Sequence, residues 1–250
     1  MISVVTPTYN TPASILARTW ASLKAQTHTD WEWVVWDDST KNETWAQLYG
    51  FASDERYRLT AHRSHVHCGN IGQVKRRAFM VAEGDILVEL DHDDELTADA
   101  LQQIADTFAD QTVGFAYSDW CEINEAGESC RYPEGWAFGY GSDYWSEKHS
   151  VWVMRAPEIN ETTLGHIVSA PNHVRAWRAT VYRELGGHDY TLPVADDYDL
   201  VVRSLLNCEY RHIPAMLYQQ HISTRTAQRT RNAMIQELVP EIAARHLGKR

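Results

Sequence analysis

The sequence predicts an α/β fold in which a mostly parallel central sheet is flanked by helices. Three apolar runs end abruptly in small polar or acidic residues: 2–5 into Thr6-Pro7-Thr8-Tyr9-Asn10, 33–36 into Asp37-Asp38-Ser39-Thr40, and 86–90 into Asp91. Such runs read as strands buried on both faces, as in parallel sheets. Stretches with apolar residues at helical spacing alternate with them, the order expected of β-α-β units.

The first strand, residues 2–5, leads into a helix over about 12–26 with Ile15, Leu16, Trp20 and Leu23 on one stripe. Strand 33–36 completes a unit whose crossover is expected to be right-handed. A helix over 42–51 and a strand near 57–61 follow. Asn70-Ile71-Gly72 opens a third helix, with Ile71, Val74, Ala78 and Val81 on one face. On that wheel Arg76 points to solvent, while Lys75 and Arg77 flank the stripe and Arg77 can reach a ligand beside the sheet. After the strand at 86–90 come a helix over 97–108, a strand over 113–117 and a hairpin over 122–131 turning at Glu125-Ala126-Gly127. Residues 132–152 change to glycine and aromatics and read as an irregular lid or cleft lining, with Trp136, Trp145 and Trp152 either core or an acceptor platform. Residues 193–206 pass from a loop into a helix. From 225 onward the pattern is helical and basic, with six Lys/Arg against two Glu, and Pro240 is expected to break it in two. Met234, Ile235, Leu238 and Ile242 fall on one side, which suits docking on the body or, as the alternative, a membrane surface.

At 250 residues the chain can bury an ordinary core. No apolar run is long enough to span a bilayer and no charged leader precedes the first strand, so a soluble, cytoplasmic protein is expected. The net charge of −11 argues against nucleic-acid binding. Cys68, Cys121, Cys130 and Cys208 form no Cys-x-x-Cys pair and read as free thiols in a reducing compartment.

Asp91-His92-Asp93-Asp94-Glu95 places four acids in five positions just past a strand's carboxyl end, the edge where open α/β sheets bind ligands. Asp-x-Asp can put two carboxylates on one hard divalent cation, which commonly bridges to nucleotide phosphates. A second cluster, Asp196-Asp197-Tyr198-Asp199, precedes a helix. Either cluster could simply cap its helix. Together, one for metal and one for proton abstraction, they match what metal-assisted transfer to a hydroxyl needs. His62, His65, His67 and Cys68 are ligand types, but no second pair completes a zinc tetrahedron, so a donor-site edge or plain surface is expected.

The order of motifs resembles the family 2 glycosyltransferases, which have the Rossmann-like GT-A fold of nucleotide-diphospho-sugar transferases. The matching pieces are Val4-Val5-Thr6-Pro7-Thr8-Tyr9-Asn10, Asp37-Asp38-Ser39-Thr40, Asn70-x-Gly72 with Arg77, and Leu90-Asp91-His92-Asp93-Asp94-Glu95-Leu96. Tyr117-Ser118-Asp119, Gly186-Gly187-His188-Asp189, Asp196-Asp197-Tyr198-Asp199-Leu200 and His221 complete the series. The resemblance implies one GT-A domain over 1–225, its half at about 1–120 binding the nucleotide sugar and its half at about 121–225 the acceptor, then a helical tail at 226–250.

It also implies roles. Thr6, Pro7, Thr8, Tyr9, Asp38, Asn70, Arg77, Asp91 and His92 would line the nucleotide-sugar site. Asp93, Asp91 and His221 would hold Mn2+ or Mg2+. Asn172, His173, Trp177 and Asp196 would border the acceptor, and Asp197 would be the general base of an inverting transfer. The donor implied is a UDP-sugar and the acceptor a glycan or lipid-linked saccharide, with peripheral membrane contact through the tail. Two positions depart from the family pattern: Asp196-Asp197 stands for Glu-Asp, and Arg76-Arg77-Ala78 for Ala-Arg-Asn. A nucleotidyltransferase acting on sugar phosphates and a non-catalytic nucleotide-sugar or glycan-binding module are the competing readings.

Overall fold

The computed structural model describes residues 1–54, 56–168, 171–223 and 231–248. Ile2–Thr8 forms β1, Trp31–Asp37 β2, Arg58–Arg63 β3 and Ile86–Glu89 β4. They lie parallel in the order β3-β2-β1-β4, so the polar residues after the three apolar runs leave from one edge. Every residue of β1 is buried, as expected for a strand covered on both faces. Helices Ala13–Lys24 (α1) and Glu43–Ala52 (α2) cover one face. There Trp20 stacks on Trp33 at 5.2 Å and on Phe51 at 5.6 Å. Helix Ile71–Val81 (α3) packs on β1 and β2. Its buried face is Gly72, Val74, Lys75, Ala78 and Phe79, whereas Ile71 and Val81 are each 37% exposed. The helix is therefore turned from the expected stripe, because Lys75 is drawn inward to a buried acid described below.

The second half extends the same sheet. The remaining strands are Glu95–Leu96 (β5), Val113–Ile123 (β6), Ser142–Ser146 (β7), Val151–Arg155 (β8), Arg175–Arg178 (β9) and Glu209–His221 (β10). β9 lies between β4 and β6, antiparallel to both, and β10 runs parallel to β6. β9 is thus the reversed strand in an otherwise parallel path from β3 to β10. The pairing of β10 with β6 shifts register between Ile213 and Met216 and again before Tyr218. Pro214, which has no N–H to give a ladder, sits in the shift between Ile213 and Met216. Beyond it, Tyr218 and Gln219 pair with β5, directly after the acidic loop.

The remaining helices are Ala100–Phe108 (α4), Glu161–His166 (α5), Ala179–Glu184 (α6), Asp196–Asn207 (α7) and Asn232–His246 (α8). Two expectations are corrected. Residues 132–152 are less irregular than expected: β7 and β8 form a hairpin, with Trp145 opposite Trp152, attached to β6 through Trp120 and Met154. Pro240 lies inside α8 without breaking it, because Val239 and Ile242 are buried on the body and hold the helix together. α8 rests on α7 and α5, with His246 Nε2 2.9 Å from Asp199. A cavity of about 230 Å³ near this contact is lined by Arg76, Gly187, Tyr190, Asp199, Arg203 and Arg245, among others. Residues 226–230 and 249–250 of the expected tail lie outside the described residues. Among the described residues no helix is long and apolar enough to cross a membrane.

Candidate functional site

Glu89 ends β4 and is fully buried, an expensive position for a carboxylate without partners. It has two. Lys75 Nζ, from α3, lies 2.5 Å from one oxygen and Arg175 Nε, from β9, 3.0 Å from the other. The same guanidinium reaches Asp197 in the first turn of α7, with NH1 2.8 Å from Oδ2. A chain of alternating charge, Lys75–Glu89–Arg175–Asp197, therefore crosses the sheet's carboxyl edge. Burial alone would raise the Glu89 carboxyl, but Arg175 and Lys75 hold it down to about 2. Burial opposes ionisation of Asp197 too, and the same two cations carry it well below the usual carboxylate range.

The two acids at the start of α7 face different surroundings. The Asp197 side chain is 34% exposed, whereas Asp196 is 2% exposed and its Oδ2 has no hydrogen-bond partner among the described residues. Asp196 packs against Gly72, where a Cβ would stand 3.0 Å from both Asp196 Cβ and the Asp189 carbonyl oxygen, so the approach of α3 to α7 requires glycine. Burial, only partly offset by Lys75, pushes the Asp196 carboxyl up to about 7. Asp196 was expected at the acceptor; it is buried against Gly72 of α3 instead.

The acidic loop divides in the same way. Asp91 and Asp93 have side chains 29% and 34% exposed, and neither pairs with Lys or Arg among the described residues. Asp94 is buried, accepting from Tyr218 Oη and from the His221 backbone N–H, both at 2.7 Å. Asp94 thus ties the loop to β10. His221 was expected as a metal ligand, but its Nε2 lies 2.8 Å from Glu95 Oε1. Candidate ligand atoms of Asp91, Asp94 and His173 lie within 4.8 Å of one another. His173 stacks on Tyr218 at 4.3 Å, and its Nδ1 has no hydrogen-bond partner among the described residues. Burial pushes its pKa down to about 4, leaving a neutral ring with a lone pair to give. Carboxylates free of cationic partners beside such a ring fit a divalent ion of the Mn2+ or Mg2+ type.

On the β1–β2 side most of the expected nucleotide contacts are spent within the protein. Thr6 Oγ1 accepts from Trp33 Nε1 at 2.9 Å, and Thr8 Oγ1 donates to Asp37 at 3.0 Å. Asn70 caps α3 by accepting from Gln73 N and donates to the Tyr190 and Leu192 carbonyls. Asp38 accepts from the N–H groups of Cys68 and Gly69 and lies 2.7 Å from His67 Nδ1. Buried polar groups take the nearest partner, and here these side chains hold the rim. Pro7 is buried, and the His92 side chain is 31% exposed. Tyr9 is 48% exposed and stacks on His67 at 4.7 Å. Arg77 lies 5.8 Å from the Trp36 ring centroid, with no hydrogen bond among the described residues. Arg76, expected in solvent, instead donates to the Gly186 and His188 carbonyls. His62 stacks on Trp36, and no metal-ligand group among the described residues includes it, His65, His67 or Cys68.

Residues 3–183 match the family described as Glycosyl transferase family 2. The chain belongs to that family. It is 27% identical over 124 residues to an Escherichia coli protein, UDP-Glc:alpha-D-GlcNAc-diphosphoundecaprenol beta-1,3-glucosyltransferase WfgD, a match covering 50% of this chain and 47% of that one. Staphylococcus aureus TarS 1-349, solved in complex with UDP, superimposes with a TM-score of 0.70 at 18% identity over 99% of this chain and 65% of that one. The mannosyltransferase PcManGT from Pyrobaculum calidifontis, solved with GDP-Man and Mn2+, gives a TM-score of 0.68 at 18% identity over 95% and 61%. Identities this low establish the fold alone, a single GT-A type domain. The chain spans between 9% and 47% of the length of the curated relatives it matches.

In this family 2 chain the expected acceptor residues separate by burial. Trp177 is fully buried, with Nε1 donating to Ser204 at 2.9 Å, and is core rather than cleft. Asn172 donates to Gln220 at 2.8 Å, and His173 sits beside the acidic loop. The residues that sequence reasoning passed over are Glu89, Arg175 and Tyr218. Glu89 carried a signal, since a charge in a strand buried on both faces demands a partner. One prediction follows from Asp196. Folded, it binds its proton more tightly than the unfolded chain, at about 7 against 3.8, so its stabilising contribution is present below 3.8 and lost as pH rises through about 7. Asp196→Asn should raise Tm at about pH 8, by on the order of 2–4 °C per kcal/mol recovered, and leave it unchanged near pH 4. Calorimetric scans at both pH values check this.

Proposed function

We infer that the chain is a metal-dependent inverting glycosyltransferase moving a sugar from a nucleoside diphosphate donor, a UDP-sugar, to a hydroxyl of a glycan or lipid-linked saccharide. The observation that carries this reading is the convergence on one sheet edge of partly exposed Asp91 and Asp93 with a partly exposed Asp197 held by Arg175. The names of the relatives support the substrates: a UDP-Glc donor and a diphosphoundecaprenol-linked acceptor in the one case, GDP-Man with Mn2+ in another. A lipid-linked acceptor would bring a cytoplasmic enzyme to the membrane surface.

Asp197 receives the proton of the acceptor hydroxyl while that oxygen bonds to the anomeric carbon. The bond from that carbon to the diphosphate oxygen breaks, and its electron pair leaves with the nucleoside diphosphate. A hydroxyl bonding to an electron-poor anomeric carbon becomes strongly acidic, so a carboxylate of low basicity suffices to take its proton. Asp91 and His173, grouped with Asp94, would hold the divalent ion together with Asp93 of the same loop, the ligand the motif implies, and its charge would offset that of the departing diphosphate. Tyr9 with its His67 partner and Arg77 over Trp36 frame the nucleotide.

Arg77→Ala should weaken UDP binding by about tenfold, the scale of one lost charge-assisted hydrogen bond. Arg76→Ala should leave UDP binding unchanged and lower Tm instead, because Arg76 holds the turn at residues 186–188. Titration calorimetry with both variants ranks them, and the reverse order would misplace the nucleotide. The reaction itself is tested with a panel of UDP- and GDP-sugars in Mn2+. Release of nucleoside diphosphate is expected, whereas pyrophosphate release would make the chain a nucleotidyltransferase, and binding without turnover a binding module.

A further inference from the structure

We propose that Arg175, clamped from below by the Glu89–Lys75 pair, is the positioning residue that fixes the direction of the Asp197 carboxylate. The inference rests on Asp197 being the base. Glu89 and Arg175 are cross-strand partners in the pairing of β4 with β9, so their side chains leave the same face of the sheet. Arg175 is 4% exposed, and its guanidinium spans two acids: NH1 donates a hydrogen bond to Asp197 Oδ2, while Nε makes an ion pair with Glu89 at 3.0 Å without hydrogen-bond alignment. A guanidinium anchored at one edge fixes the direction of whatever binds the other, which an ammonium cannot do. Lys75 occupies the second oxygen of Glu89, so Glu89 cannot swing away. Asp197 Oδ1 is itself held by the Tyr198 N–H at 2.8 Å. Both carboxylate oxygens are thus tethered from the protein side.

The charged or titratable groups around Asp197 are Arg175 from β9, Lys75 from α3, Glu89 from β4, Asp196 beside it, and the buried His188 ring from the turn before α7. His188 is pushed down to about 3 by burial and stays neutral, so Arg175 is the cation in direct contact with Asp197.

The test follows the Asp197 carboxyl by NMR in 13C-aspartate-labelled full-length chain, its signal identified by loss in Asp197→Asn. Turnover is read as UDP released from UDP-glucose with Mn2+. In the parent chain the Asp197 signal should remain that of the ion to the lowest pH at which the protein stays folded. In Arg175→Met it should titrate at or above the ordinary carboxylate range, and kcat should fall by tenfold or more with the KM for UDP-glucose unchanged. Arg175→Lys should restore the ionisation but not kcat, because a point charge cannot bridge both acids. A merely structural arginine would alter Tm and leave the titration where it was. An Asp197 titration unchanged in Arg175→Met, or full kcat in Arg175→Lys, overturns the proposal. If Arg175→Met fails to fold, the kcat of Arg175→Lys alone decides. Activity retained in Asp197→Asn would instead remove the base assignment, a separate failure.

Discussion

Asp197→Asn is expected to lower turnover by ~10² to 10⁴-fold, the range that general-base assistance supplies. UDP and Mn2+ should bind as before, because the amide keeps size and the oxygen that meets the Tyr198 N–H while losing basicity. The neighbouring acids are the rivals, and their surroundings decide against them. Asp196 has only 2% of its surface exposed and packs against Gly72. Asp199 is equally buried and is held by Arg203 at 2.5 Å and by His246 at 2.9 Å. Turnover measured for the three Asn variants separates them. Near-normal rates in Asp197→Asn with a dead Asp196→Asn or Asp199→Asn would move the base to the other acid, and three active variants would end the transferase mechanism.

Removing the divalent ion should weaken UDP binding by at least about tenfold, because the diphosphate would otherwise face Asp91 and Asp93 at a few ångströms, where each like-charge pair costs on the order of 4 kcal/mol near a protein surface. Asp93→Ala should abolish the difference between Mn2+ and chelator. His221→Ala should not, since that ring faces Glu95 rather than the Asp91 carboxylate. Calorimetry of UDP binding in Mn2+ and in EDTA reads all three proteins, and equal affinity in both media for the parent chain would sink the metal assignment.

The parallel strands and the edge they share were readable because each apolar run stops at a polar residue, a local signal. What each polar side chain does at that edge was not readable. Thr8 and Asp38 lie where the motif predicts, yet their oxygens are taken by Asp37 and by the turn at residues 67–69, a result of three-dimensional neighbours that no spacing encodes. The choice between His173 and His221 beside the acids depends on the register shifts around Pro214 in β10, and a one-residue slip reverses which face a strand presents. Arg175 carried no sequence signal, since it meets Glu89 only because β9 runs against its neighbours. Pro240 misled for the opposite reason: a local rule for helix breaking lost to the burial of Val239 and Ile242.

The most direct test of the central claim, single displacement with Asp197 taking the acceptor proton, is the anomeric configuration of the sugar at the moment of transfer. An α-linked donor that turns over in the panel, watched by proton NMR with water or a glycan as acceptor, should give the β anomer as the first product. First appearance of the α anomer would show that the bond is broken and remade with retention, and would contradict the account.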